Sequence, residues 1–242
     1  LPLKMNLGNF IQARELGADT VIIAGGKGPC RFGYYCEMHR EILKEAGYEM
    51  EVITFDSPVY GVKRLLESCR RLAEGRGAAR TASAVWNAVG ICMKVDDIER
   101  KCFYIRPREK EKGSTDNLYR LFRKKAAKLK GSKELKNLLR DTIKKLENIR
   151  LDERTVPLKI GIVGEIYTTI DEYISFDIQN RLGNMGVEVH RFVTISEWVM
   201  EHMLKKGVGL PTGMQYSNAA KPYLRTMIGG HALETIGNTV LY

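Results

Sequence analysis

One thiol in this chain stands where a thiol could do chemistry. The apolar, β-branched run Val21-Ile22-Ile23-Ala24 leads into Gly25-Gly26-Lys27-Gly28-Pro29, and Cys30 follows just before a helical pattern begins. The run predicts a strand buried on both faces of a parallel sheet. The carboxyl end of such a strand is where open α/β sheets bind ligands. Gly25, Gly26 and Gly28 let the backbone approach a phosphate or inorganic group closely. The free N–H groups of the next helix, with Arg31, favour negative charge, a thiolate included. The chemistry predicted is metal-cluster ligation by Cys30, with Gly25, Gly26, Gly28 and Arg31 around the cofactor. The glycine spacing fits neither a dinucleotide fingerprint nor a Walker loop, so on pattern alone a tight βα turn is the simpler reading.

A second loop, Gly164-Glu165-Ile166-Tyr167, follows the apolar residues 159–163 and falls at the corresponding sheet edge. Glu165 and Tyr167 are candidates to bind or orient a ligand there, with a solvated turn as the alternative. Gly229-Gly230-His231 marks another loop-to-helix junction, where His231 is either a donor or a cap. Cys36 and His39 share the apolar face of one helix and are expected in the core. Cys69, Cys92 and Cys102 fall at helical positions among Leu, Val and Ile, and are expected to pack likewise. No Cys-x-x-Cys pair occurs, so a four-ligand zinc site is not expected.

The elements that must position these residues follow from periodicity. Residues 3–16 space Leu3, Leu7, Phe10 and Ile11 on one helical face that stops at Gly17, residues 20–24 form a strand, and residues 32–46 form an amphipathic helix closed by Gly47. Residues 49–55 alternate as a second strand, and Val62, Leu65, Leu66, Cys69 and Leu72 mark a helix. Residues 81–148 are almost wholly helical, interrupted at Pro107 and at Gly113-Ser114-Thr115-Asp116, whose hydroxyls can cap a new helix. Strands at 159–163 and 187–193 flank a helix from Asp171 with the stripe Ile174, Ile178 and Leu182, ending at Gly183. The fold class expected is α/β: two Rossmann- or flavodoxin-like units with mostly parallel sheets, joined by a helical region. Domains are expected at 1–80 (first α/β unit), 81–156 (basic helical connection) and 157–242 (second α/β unit, incomplete at its C-terminus). The break is placed within 150–158, where a polar stretch meets Pro157.

Charge is unevenly spread. The chain of 242 residues carries +10, yet residues 100–154 hold 19 Lys and Arg against 8 Asp and Glu, so the flanking parts are close to neutral. Neither aromatic interleaving nor a nucleic-acid motif accompanies that charge, so solvated helix surface is the expected role and nucleic acid is not an expected partner. No apolar run reaches the roughly 20 residues that span a bilayer, and five scattered cysteines form no disulfide framework. A cytoplasmic location and no membrane partner are expected. The start at Leu1 without Met and the end in an apolar run read as a fragment or an ordered part of a longer protein.

Taken with Leu1-Pro2-Leu3-Lys4 and Gly164-Glu165-Ile166-Tyr167, the Cys30 region resembles the iron-sulfur proteins of the 2-hydroxyacyl-CoA dehydratase family. The likeness is to the branch associated with, or fused to, an ATP-dependent CoA-enzyme activase. It runs over most of the chain, with residues 100–154 least diagnostic. In that family a cysteine directly precedes a Pro-x-Lys segment at a helix start, and Leu1-Pro2-Leu3-Lys4 matches that segment without its cysteine. Cys30 matches a second family cysteine, and a third comes from the other domain, beyond the end of this chain. The resemblance implies a [4Fe-4S] or related cluster in the intact protein, absent from this fragment because one thiolate cannot hold it. It implies the ATP-dependent activase as partner, an acyl-CoA thioester as candidate substrate, and a low-potential electron-transfer role as a lyase or reductase component. The other readings are a non-enzymatic electron-transfer or scaffold module docking the activase and, ranked lower, a nucleic-acid-binding protein.

Overall fold

The structure is a computed structural model that describes residues 2–25, 32–56, 62–73, 77–205, 214–224, 226 and 232–242. It is mixed α/β, 64% helical, with two separate two-stranded parallel sheets. The chain packs as two compact units, Leu1–Thr81 with Met200–Gly237, and Ala82–Val199 with Asn238–Tyr242.

The first unit begins with α1 (Pro2–Glu15), β1 (Thr20–Gly25), α2 (Phe32–Glu45), β2 (Glu51–Asp56) and α3 (Val62–Ala73). Both helices α1 and α2 end where the sequence predicts, at glycines with positive φ, Gly17 (98°) and Gly47 (81°). Ala18 N–H donates to Ala13 O at 2.9 Å and Tyr48 N–H to Leu43 O at 2.8 Å, so the last carbonyls of each helix are satisfied by a left-handed turn. β1 and β2 run parallel from the pair Thr20 and Glu51 to the pair Gly25 and Asp56. Val21, Ile23, Cys36 and Val52 form the core, with Phe10, Tyr35 and Met50 packed against it. The expectation of a strand buried on both faces fails at Ile22, which is 57% exposed. Successive side chains of a strand point to opposite faces; on the face of Ile22 its partner Ile53 is buried, so that face is covered over β2 and left open at Ile22.

The second unit is built on α4 (Ala78–Ile105), α5 (Ser114–Ala126) and α6 (Ser132–Glu147). Ile98, Cys102, Ile105, Phe122, Leu139 and Leu146 make its core, while Lys124, Lys125, Lys128, Lys144 and Lys145 lie on exposed faces. The hydroxyls at 114–115 do not cap α5. Instead the buried Glu109 carboxylate accepts from Gly113 N–H at 2.6 Å, Thr115 N–H at 2.8 Å and the Thr115 hydroxyl at 2.6 Å. The backbone at 108–110 also pairs with 150–152, Lys110 N–H donating to Arg150 O and Asp152 N–H to Arg108 O. Residues 150–158 therefore lie inside one unit, and the divisions fall after Thr81, Val199 and Gly237.

Beyond this come β3 (Lys159–Ile162), α7 (Ile166–Ile170), α8 (Ile178–Asn184), β4 (Glu188–Arg191) and α9 (Ile195–Val199). β3 and β4 are parallel, Lys159 opposite Glu188 through Ile162 opposite Arg191. The helix expected from Asp171 is instead a turn over 171–177. The Asp171 carboxylate accepts from Ile174 N–H at 2.9 Å, and Phe176 and Asp177 take left-handed backbone (φ 53° and 54°), which stops helix propagation until Ile178. Gly183 sits within α8 and not at its end; Gly186 (φ 89°) terminates it. A π-helical turn (Met200–Lys205) and α10 (Met214–Ala220) belong to the first unit, and α11 (Ala232–Leu241) closes the described chain.

Candidate functional site

Of the residues expected around a cofactor, Gly25 is the last of β1, opposite Asp56. Gly26, Gly28, Cys30 and Arg31 lie outside the described residues, as do Gly229, Gly230 and His231. Glu165 and Tyr167 are placed together after β3 in the second unit, at the carboxyl end of the parallel pair. The Glu165 carboxylate is engaged locally: it caps α7 by accepting from Thr168 N–H at 2.9 Å, and its carbonyl accepts from the Thr168 hydroxyl at 2.9 Å. Tyr167 is half-buried, and burial, followed by the carboxylates of Asp171 and Glu165, pushes its phenol up.

Of the described cysteines, Cys36 and Cys102 are buried core residues, and Cys69 and Cys92 are half-buried. Cys36 is buried, and His39 beside it is enclosed between the rings of Phe10 and Tyr35, its Nε2 3.1 Å from Leu3 O. Burial pushes the Cys102 thiol up to about 12, against the opposing effect of Arg106, and also raises Cys69 and Cys92. On balance the surroundings of these three thiols disfavour a thiolate. Among the described residues no three His, Cys, Asp or Glu side chains come together as a metal site. These residues therefore do not fit an iron-sulfur cluster by themselves.

What the second unit does assemble is a polar cavity. Arg106 extends the buried stripe of Ile98 and Cys102 at the C-terminal end of α4; its side chain is 1% exposed. Its Nε donates to Asp116 Oδ1 at 2.8 Å, and Asn184 Nδ2 donates to Asp116 Oδ2 at 3.0 Å. Arg191, the last residue of β4, has a side chain 5% exposed. Its Nη2 donates to Glu99 Oε2 at 2.5 Å, its Nη1 to Gln179 Oε1 at 3.3 Å, and its guanidinium lies 5.7 Å from the Phe103 ring centre. Tyr119 donates to Glu99 Oε1 at 3.0 Å, and burial together with that carboxylate raises its phenol. Among the described residues, two buried guanidinium atoms, Arg106 Nη1 and Arg191 Nε, have no partner.

Both arginines line a cavity of about 30 Å³, with Ser175 and Asn180 also in its wall. Tyr119, Glu172, Asp177 and Asn180 are shared with an adjoining open groove of about 430 Å³, which adds Arg120, Arg123 and Lys124. The left-handed backbone at Phe176 and Asp177 costs on the order of 1–3 kcal/mol per residue, and Asp177 forms part of this wall. The cavity wall carries the carboxylates of Glu99, Glu172 and Asp177 beside the two arginines.

Sequence reading passed over both arginines, counting Arg106 with a solvated basic face. A signal was present for each. Val187, Val189, Arg191 and Val193 alternate along one strand face, so Arg191 occupies an apolar position. Arg106 follows Ile98 and Cys102 at the spacing of a buried helical stripe.

Compared with family models, with curated proteins and with solved structures, the chain matches none.

Proposed function

We propose that this chain is part of an iron-sulfur protein of the 2-hydroxyacyl-CoA dehydratase and activase type. In this reading an ATP-hydrolysing activase supplies a low-potential electron for reduction of a CoA thioester or similar substrate. The observation that supports it is the layout of β1, α2 and β2. Cys30 belongs to the short segment between the carboxyl end of a parallel strand and the start of α2, where α/β proteins place their ligands. The pair β3 and β4 repeats that parallel arrangement with Glu165 and Tyr167 at its loop, in keeping with two Rossmann- or flavodoxin-like units.

The other four cysteines have packing roles or raised thiols, which leaves Cys30 as the ligand of this reading. One thiolate does not hold a cubane, so the remaining ligands come from protein outside these 242 residues. The cluster, when bound, supplies one-electron chemistry; no step is derived through it from the residues described. The test is anaerobic purification of the intact protein with its activase, followed by iron and sulfide quantitation and EPR with and without ATP. A cluster signal reduced only when ATP and activase are both present supports the proposal. Protein free of iron after anaerobic purification and reconstitution defeats it.

A further inference from the structure

We draw no further inference here: the strongest candidate, the surface of α4 on which Val85, Trp86 and Met93 stand exposed within the uncharged run 81–93, carries nothing because nothing in the structure shows what covers it.

Discussion

Gly183 of α8 lies directly against the Arg106 side chain: a β-carbon built on it would stand 2.7 Å from Arg106 Cδ and 3.4 Å from its Nη1. The absence of a side chain at 183 is what lets α8 close over a buried arginine, and Arg106 cannot retreat because its Nε is held by Asp116. Gly183→Ala should therefore destabilise the second unit by about 1–3 kcal/mol through overpacking, although alanine favours helix. Gly90 in α4 has nothing within 4 Å of the same position, so Gly90→Ala should stabilise by about 0.5–1 kcal/mol. Chemical denaturation of the two variants checks the contrast; equal effects would remove the argument.

Glu109 is predicted to be the structural carboxylate of this unit. It accepts three hydrogen bonds from Gly113 and Thr115 at the start of α5. Glu109→Gln replaces one acceptor oxygen by a donor that faces other donors, and should cost about 1–3 kcal/mol. Lys124→Ala, on the exposed face of the same helix, should change stability by less than about 0.5 kcal/mol.

These two residues also illustrate how far the sequence was legible. Helix ends at Gly17 and Gly47, and the strands β1 to β4, follow from local patterns, because each is decided within a few residues. The α5 cap was not legible, since its acceptor is a carboxylate four to six residues upstream in a turn, where nearby hydroxyls looked sufficient. The turn at 171–177 was hidden because its apolar spacing mimics a helix, while the Asp171 carboxylate and the left-handed backbone decide otherwise. Arg106 and Arg191 were absorbed into a charge count, although each breaks an apolar period. Cys30, the residue on which the functional reading turns, lies outside the described residues.

Acid should loosen the contact between Arg108 and Glu188. Burial alone would raise the Glu188 carboxyl, but hydrogen bonds from Arg108 and His190 hold it below its ordinary value of 4.5. A carboxyl lowered in the folded state takes up its proton first when unfolded, so its contribution is present above about pH 4.5 and is lost as pH falls further. Melting temperatures of the wild type and Glu188→Gln, measured from pH 7 to pH 3, should converge on the acid side. A gap that stays constant across that range would contradict the assignment.

The exposed lysines Lys124, Lys125 and Lys128 should give only weak, strongly salt-dependent binding to nucleic acid, because each phosphate neutralised releases counterions without any base being read. Titrating duplex DNA and single-stranded RNA at two salt concentrations checks this. A sub-micromolar complex at physiological salt, lost when Lys124, Lys125 and Lys128 are neutralised, would reverse the ranking of functions.

The central claim is that Cys30 ligates a cluster in the intact protein, and iron content of two serine variants tests it most directly. Cys30→Ser, purified without oxygen, should keep the wild-type melting temperature within a few degrees and lose the iron signal together with ATP-dependent reduction by the activase. Cys92→Ser, on α4 with a thiol raised by burial, should lose neither. A Cys30→Ser protein that retains full iron and normal reduction, while Cys92→Ser loses both, would contradict the account.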